Sequence, residues 1–260
     1  MDNVSKTLYI PLYGKALVSR KGIILRDEKA EELWEAEQIP LRGKAASKWL
    51  AYYMAMRSAV YDAWLRTQLE MDPEAVVLHL GCGMDSRCLR VEHPGRVWYD
   101  VDLPEVIRER SRHFASGGTD RMLAADLRED TWLEEIAGEN AIVVLEGVSM
   151  YLEPQELKRL MERLGKRFCR VSMLMDCYTE LAARLSRRHN PINSVGVTEV
   201  YGLDDPMSVE SEGLRFLGER SITPPDLIGQ LRPVEQRIFR KLYAGKLSGK
   251  LYKMYEFGGK

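Results

Sequence analysis

The sequence predicts an α/β fold in which a mostly parallel β-sheet is covered by helices on both faces. Five short apolar runs alternate with stretches of helical periodicity. Continuous apolar runs of this kind are typical of strands that are buried on both faces of a parallel sheet. A glycine or an acidic residue directly follows each of the first four runs. The five runs are residues 75–80, 97–101, 121–125, 141–145 and 170–175.

The composition is that of a globular protein with balanced charge. The chain has 260 residues, with 38 Lys and Arg against 39 Asp and Glu. A nucleic-acid-binding protein usually carries an excess of basic residues, so we expect no nucleic-acid partner. The four cysteines form no Cys-x-x-Cys pair and the four histidines are scattered. We therefore expect neither a metal site nor a disulfide framework.

The sequence also predicts a cytoplasmic protein without a membrane partner. No apolar run approaches the ~18–20 residues that a helix needs to span a bilayer. The first residues lack the basic and then apolar pattern of a secretory signal, so we expect none.

The segment before the first apolar run, residues 1–70, is predicted to be helical. Within 44–70, large apolar residues recur at spacings of three and four, which indicates one buried helix face. These residues are Trp49, Tyr53, Met56, Val60 and Trp64.

Further helices are predicted at 104–114 and 154–168, each with a proline in its first turn. Residues 189–213 are polar and rich in turn formers, which predicts a long loop of the kind that usually has a function. A strand at 214–220, helices within 225–244 and a last strand at 250–257 follow. The two terminal strands form a hairpin-like pair, which is typical of a mixed sheet.

The residues after the first four runs predict a ligand site, because open α/β sheets bind ligands at the carboxyl ends of their strands. Gly81 and Gly83 allow a ligand to approach the backbone closely. Asp102 can accept hydrogen bonds from both hydroxyls of a ribose. Asp126 can accept one from an adenine amino group, and Glu146 can face a cationic group.

Other interpretations of these residues are open. Asp102 can cap the helix that begins at Pro104, with Glu105 completing a capping box, and Asp126 with Glu129 allows the same. A dinucleotide site would require a third glycine where Ser86 stands. An NAD-linked oxidoreductase is therefore disfavoured, also because no tyrosine is followed four residues later by lysine. A non-catalytic cofactor-binding protein is a further alternative.

Four blocks of the chain resemble the leucine carboxyl methyltransferase family, which includes tetracenomycin-type polyketide O-methyltransferases. The resemblance runs from about residue 5 to 180, and Cys82 stands where the family usually has alanine. It implies a Rossmann-like class I methyltransferase that uses S-adenosylmethionine. It also implies a seven-stranded sheet, with an antiparallel C-terminal strand and an N-terminal helical extension. The blocks are GCGMDSR (81–87), WYDVDLPEV (98–106), AADLRE (124–129) and LEGVSMYLEP (145–154).

The resemblance also implies roles for individual residues. Arg57 matches the arginine that binds the methionine carboxylate of the cofactor, and Lys15 matches a second basic contact. Arg57 also lies on the flank of the buried helix face, where a guanidinium needs a partner such as a carboxylate. The rest of the predicted cofactor site is Gly81, Gly83, Asp85, Asp102, Asp126, Leu127 and Glu146. Arg128, Tyr151 and Glu146 are predicted on the side of the methyl acceptor.

The predicted function is O-methylation of a small, polyketide-like carboxylic acid. A carboxylate with a pKa of ~4 is already ionised at neutral pH, whereas a phenol with a pKa of ~10 usually needs a base. A phenol and a protein C-terminus stay open as acceptors, and so does the oligomeric state. We expect one domain, 1–260, with a helical cap (1–70), a cofactor-binding core (71–180) and a C-terminal part with the substrate loop and last strands (181–260).

Overall fold

The N-terminal part of the protein is helical, as predicted. The computed structural model describes residues 9–37, 41, 43–189, 199–245 and 248–259. Helices α1 (Tyr9–Arg20), α2 (Glu28–Glu37) and α3 (Lys48–Met71) precede the first strand. The Ser47 hydroxyl caps α3 by accepting a hydrogen bond from the backbone N–H of Trp49, which satisfies one of the free donors of the first turn.

The sheet has seven strands in the order β3-β2-β1-β4-β5-β7-β6. Strand β7 is antiparallel to both of its neighbours, and the pairs among β1 to β5 are parallel. The predicted mixed sheet with an antiparallel C-terminal strand is therefore confirmed. The strands are β1 (Val76–Leu80), β2 (Trp98–Asp102), β3 (Asp120–Ala124), β4 (Asn140–Leu145), β5 (Arg170–Tyr178), β6 (Arg215–Glu219) and β7 (Tyr252–Gly259).

Helices cover both faces of the sheet. Side chains alternate along a strand, so Leu78 and Val143 pack with the helix Pro154–Arg167 on one face, while Val77 and Val144 pack with α3 and the helix Pro233–Leu242 on the other. Within the described residues, no helix is long and apolar enough to cross a membrane. The remaining helices are α4 (Arg87–Arg90), α5 (Pro104–Arg110), α6 (Pro154–Arg167), α7 (Glu180–His189), α8 (Pro225–Gly229) and α9 (Pro233–Leu242).

One predicted helix differs in extent, and one predicted loop is described only in part. Helix α5 ends at Arg110, four residues before the predicted end, and the next amides bond in short-range turns such as Arg112 N–H to Glu109 O. Part of the predicted loop, residues 190–198, lies outside the described residues. The part from 199 to 213 contains a single 3-10 turn at Pro206–Val209.

Candidate active site

All of the residues predicted for the site line one open cavity of about 690 Å³. It lies at the carboxyl ends of β1 to β4, where the loops after these strands meet α1 and α3. The structure thus brings the predicted residues together, although Lys15 and Tyr151 are far apart in the chain. The lining includes Lys15, Arg57, Gly81, Gly83, Asp85, Asp102, Asp126, Leu127, Arg128, Glu146 and Tyr151.

The loop after β1 depends on glycine. Gly81 and Gly83 have φ angles of +66° and +51°, in a region of backbone conformation that residues other than glycine rarely adopt. A Cβ on Gly81 would lie 2.2 Å from the Cγ2 of Val148, in the loop after β4. The two loops therefore approach each other so closely that only glycine fits at position 81.

Asp102 presents a half-buried carboxylate at the end of β2. It accepts hydrogen bonds from the backbone N–H groups of Gly83 (2.7 Å) and Leu103 (2.8 Å). Burial raises its pKa to about 6, and these two hydrogen bonds offset the effect only in part. The N-cap of α5 is Leu103, without a side-chain cap, so the interpretation of Asp102 as a helix cap is wrong. A capping box does occur at α6, between Glu153 and Glu156.

Asp126 lies at the end of β3 and binds Arg128. The Nε of Arg128 lies 2.9 and 3.0 Å from the two carboxylate oxygens, and the Arg128 N–H also donates to Asp126. These hydrogen bonds lower the pKa of Asp126. The next helical turn after Asp126 is the 3-10 turn Thr131–Glu135, whose N-cap is Asp130, so the capping-box interpretation of Asp126 with Glu129 is wrong. Among the described residues the Nη1 of Arg128 has no hydrogen-bond partner, and the side chain is 55% exposed at the cavity rim.

Glu146, after β4, is buried between two arginines. It accepts from the Nε of Arg57 and from the hydroxyl of Ser58, both at 3.1 Å, and from the Nη2 of Arg87. Burial alone would raise the pKa of Glu146, but Arg87 and Arg57 more than offset it and lower the pKa. Glu146 is therefore an ionised carboxylate at neutral pH.

Arg57 projects from α3 into the same cluster and is 4% exposed. Its Nη1 donates to Asp176 (3.0 Å) and to the hydroxyl of Tyr252 (2.6 Å), while its Nε is bound to Glu146. Within the described part of the chain, only Nη2 of the guanidinium lacks a hydrogen bond. A ligand carboxylate can therefore approach Arg57 through Nη2 without displacing a protein group.

Asp176, fully buried near the end of β5, supports the site from behind the cavity wall, and the sequence prediction omitted it. Besides Arg57 it accepts from the hydroxyls of Tyr61 (2.7 Å) and Tyr252, and from the N–H of Gly147 (2.8 Å). It directly follows the fifth apolar run of the sequence. The rule that selected Asp102, Asp126 and Glu146 selects Asp176 as well, if it is applied to the next strand.

Lys15 is buried and reaches the site from α1. Its Nζ lies 3.1 Å from Asp85, whose carboxylate also contacts Arg90 at 2.7 Å and Arg87 at 3.3 Å. Burial would raise the pKa of Asp85, but Arg87, Arg90 and Lys15 hold it well below its ordinary value. Asp85 thus holds Lys15 at the cavity wall.

His79 has the structural role that its position within β1 predicts. It is 1% exposed, and its ring nitrogens lie 3.1 Å from Asp100 and 3.1 Å from Arg87. Burial lowers its pKa despite the hydrogen bond with Asp100. His79 is therefore a neutral, fully engaged side chain beneath the site.

The arrangement of polar groups fits S-adenosylmethionine. Asp102, at the end of β2, is where a ribose is held in folds of this kind. Asp126 and the buried side chain of Leu127 offer an acceptor and an apolar surface for a purine. At the other end of the cavity, cationic Lys15 and Arg57 face a region that also contains anionic Glu146, which suits an amino acid's carboxylate and amino group.

Fold and site together define a class I methyltransferase. A model of the leucine carboxyl methyltransferase family matches residues 4–165. The chain belongs to this family and is an S-adenosylmethionine-dependent methyltransferase, as the sequence predicts. The predictions of an enzyme and of its cofactor are confirmed, and the NAD-linked and non-catalytic alternatives are wrong.

Curated relatives agree with this assignment. The chain is 31% identical over 242 residues to the tetracenomycin polyketide synthesis O-methyltransferase TcmP of Streptomyces glaucescens, covering 91% of this chain and 89% of that one. It is 34% identical over 199 residues to an S-adenosylmethionine-dependent methyltransferase assigned in Mycobacterium marinum, covering 67% of this chain. The chain spans only 56% of the length of the second relative.

Solved structures support the fold. Magnesium protoporphyrin IX methyltransferase from Synechocystis PCC 6803, with bound S-adenosylhomocysteine, aligns with a TM-score of 0.51 and 12% identity over 88% of this chain and 93% of that one. An S-adenosylmethionine-dependent methyltransferase from Mesorhizobium loti gives 0.51 and 15%, over 76% and 97%. At such identities the likeness shows the fold alone.

Proposed function

We propose that the protein transfers the methyl group of S-adenosylmethionine to a carboxylate oxygen of a small metabolite and so forms a methyl ester. The observation that carries this proposal is the position of Arg128. Its guanidinium lies at the cavity rim with Nη1 available, two residues after Asp126. A guanidinium there can hold one oxygen of an acceptor carboxylate while the other oxygen faces the methyl group. The relative from Streptomyces glaucescens, an O-methyltransferase by name, supports transfer to oxygen.

The acid–base properties of the site favour a carboxylate over a phenol. A phenol must lose a proton, whereas a carboxylate is already ionised at neutral pH. Glu146 and Asp85 have lowered pKa values because arginines surround them, so both are weak bases. His79, the only histidine among the described lining residues, is bound to Asp100 and Arg87. The carboxylate reaction needs none of these groups as a base, so a phenol is the less favoured acceptor, while a protein C-terminus, itself a carboxylate, is an alternative acceptor.

The cofactor supplies an electrophilic methyl group on a positively charged sulfur. Arg57, through Nη2, and Lys15 bind the methionine carboxylate, and Glu146 binds the amino group on the same side. Asp102 accepts hydrogen bonds from the ribose hydroxyls.

At the purine end of the cofactor, Asp126 and Leu127 hold the adenine. The oxygens of Asp126 that bind Arg128 have further lone pairs, because an ionised carboxylate offers about four acceptor positions. Contacts along the whole cofactor fix its position relative to the acceptor. Such positioning contributes ~7–11 kcal/mol at best to reactions of this type.

The acceptor binds on the side of Arg128 and Tyr151. Beyond these two residues the cavity walls are largely apolar and aromatic, and α7 and α9 contribute to them. They suit an acid with an apolar body and exclude water from the reacting oxygen. The residues of these walls include Leu50, Tyr53, Met54, Tyr178, Leu185 and Tyr243. The helical cap at 1–70 and the C-terminal part at 181–260 thus supply much of the apolar wall, while the core at 71–180 supplies Arg128, Tyr151 and most of the cofactor site. The cytoplasmic location stays a prediction.

A panel of carboxylic acids and phenols, assayed with methyl-labelled cofactor, tests the proposal. We expect label in acids, and we expect mild alkali to release it because esters hydrolyse where aryl ethers do not. Arg128→Ala should raise the KM of the acid about tenfold or more, as expected for the loss of a charge-assisted hydrogen bond, and leave the cofactor Kd within about twofold. Arg159→Ala, on the exposed face of α6, is the matched control. Label on a phenol that resists alkali would contradict the carboxyl assignment and leave the methyltransferase activity intact.

A further inference from the structure

Two helices at the mouth of the cavity expose apolar side chains at helical spacing. On α9 these are Val234 (70% exposed), Ile238 (37%) and Leu242 (58%), and on α7 they are Leu181 (40%) and Leu185 (57%). A spacing of four places the members of each set on one helix face. Because Leu242 and Leu185 also line the cavity, both exposed faces border its mouth.

Basic residues share these faces. Arg184 lies between the α7 leucines, and Arg237 and Lys241 lie within the α9 set; all three are exposed. None of the three forms an ion pair with a described residue. Arg232 and Arg240, also exposed, flank the α9 face. Among its described residues the surface therefore has five exposed cations against one exposed acid, Glu180 in the first turn of α7, on a chain whose net charge is −1.

The acidic residue of α9 does not cancel this charge. Glu235 is half-buried, and its carboxylate accepts from the Nζ of Lys48 at 2.8 Å. That ion pair joins α9 to α3 and so directs Glu235 towards the protein. Tyr243, directly after α9, is half-buried and stacks on the buried Phe239 with 5.4 Å between ring centroids.

Apolar and basic residues on one helix face are typical of helices that lie in the interface of an anionic membrane. Their apolar side chains enter the boundary between headgroups and acyl chains, and their cations bind the phosphates. Protein interfaces depend instead on buried aromatic or arginine anchors seated in pockets. The exposed faces of α7 and α9 contain aliphatic side chains and solvated cations. This combination favours a lipid surface over a protein as the binding partner.

We propose that α7 and α9 form a docking surface for an anionic lipid bilayer, with the mouth of the cavity facing the lipid. An acceptor with an apolar body then enters from the membrane. The sequence predicted no membrane partner because no segment can span a bilayer, but surface docking requires no such segment. Docking is independent of which oxygen is methylated, so it can fail or succeed separately from the proposed function.

Sedimentation of the full chain with vesicles tests the docking surface. We expect binding to vesicles of phosphatidylcholine with phosphatidylglycerol, little binding to phosphatidylcholine alone, and release by high salt, which screens the charges. Arg237→Glu with Lys241→Glu should weaken binding about tenfold or more, since each cation near such a surface contributes ~1 kcal/mol. Lys158→Glu with Arg159→Glu, on the exposed face of α6, makes the same change of charge elsewhere and should leave binding nearly unchanged.

The apolar part of the surface has its own test. Val234→Ser with Ile238→Ser should weaken vesicle binding several-fold and preserve methyl transfer to a water-soluble acid. The control is Met71→Ser with Leu217→Ser, which are exposed by 69% and 64% elsewhere.

Three results would overturn the proposal. One is no binding to anionic vesicles at low salt, and another is equal weakening by the two pairs of charge reversals. The third is a dimer in analytical ultracentrifugation that Val234→Ser with Ile238→Ser dissociates, because the surface would then belong to a second copy of the chain.

Discussion

The two halves of the cavity are built from different kinds of residue. The cofactor half contains buried charges in ion pairs, such as Arg57 with Glu146 at 3.1 Å and Arg87 with Asp85 at 3.3 Å. The acceptor half has walls such as Tyr53 and Leu185, whose contacts are mainly apolar. Both halves belong to one cavity. They differ in the contacts that hold their side chains in place, which are ion pairs in the cofactor half and apolar contacts in the acceptor half.

A buried charge is tolerated only with partners at defined positions. Arg57 illustrates this, because Glu146, Asp176 and Tyr252 together determine where its guanidinium lies. Apolar contacts are not directional, so the acceptor half can change in sequence without disturbing the charged network. A family that keeps one cofactor and varies its acceptors can therefore vary one half alone.

Removal of Arg57 should have the largest effect on ligand binding, and this effect should be confined to the cofactor half. In Arg57→Ala we expect S-adenosylmethionine to bind about 100-fold more weakly or worse, because the methionine carboxylate loses its cation. The variant should also be less stable by about 3–5 kcal/mol, since Glu146 and Asp176 stay buried with fewer partners. Titration calorimetry and thermal unfolding measure the two effects.

Adenosine lacks the methionine carboxylate and serves as the control ligand. Its affinity should be nearly the same for Arg57→Ala and the wild type, and Arg57→Lys should restore part of the S-adenosylmethionine affinity. Equal losses for both ligands would mean that Arg57 only supports the fold, and the two halves would then be less separate than their contacts indicate.

The sequence predicted best those residues whose chemical type and whose place at a strand end point to the same ligand site. The rule that an acidic residue directly follows an apolar run placed Asp102, Asp126 and Glu146 in the cavity wall, because parallel strands end at one edge of the sheet. The same rule also selects Asp176, which directly follows the fifth apolar run. Tyr252 could not be found in this way, since it begins an antiparallel strand and reaches Asp176 only through strand pairing.

The acceptor half was the less predictable one. Its walls come from α3, α7 and α9, and any of their apolar residues could equally have been core. The pairing of Arg128 with Asp126 also escaped prediction, because residues two apart meet in this way only in a particular loop conformation. The exposed faces of α7 and α9 required knowledge of which side of each helix is covered.

Acidification should weaken the cofactor half through Asp102. Its pKa of about 6 in the ligand-free protein lies above the usual value of 3.8. The carboxylate is therefore protonated below about pH 6, and we expect the affinity for S-adenosylmethionine to fall about tenfold between pH 7 and pH 5. The stability of the ligand-free protein has the opposite dependence. A raised pKa stabilises the folded state at low pH, and this contribution is lost as the pH rises through about 6.

Asp102→Asn is the variant that isolates this effect. It should bind the cofactor about 10-fold to 100-fold more weakly at pH 7, as expected for the loss of charge-assisted hydrogen bonds, and should lack the dependence between pH 5 and pH 7. Calorimetry across this range provides the comparison. An unchanged pH profile in the variant would show that another group titrates and would remove Asp102 from the ribose site.

The smallest effect is expected at Tyr151, on the acceptor half. Tyr151 is half-buried, ends the 3-10 turn Ser149–Tyr151 and lines the cavity. If its hydroxyl helps Arg128 to hold the acceptor carboxylate, Tyr151→Phe should raise the acceptor KM about twofold to tenfold, in line with ~0.5–1.5 kcal/mol for one hydrogen bond. The cofactor Kd and the melting temperature should not change, because phenylalanine preserves the packing.

If Tyr151 only packs, Tyr151→Phe will be kinetically silent and Tyr151→Ala will lower stability alone. The double variant with Arg128→Ala separates these cases, because two residues that bind the same carboxylate give non-additive losses. Tyr178→Phe, which removes a hydroxyl elsewhere in the same half, is the control and should leave that coupling unchanged.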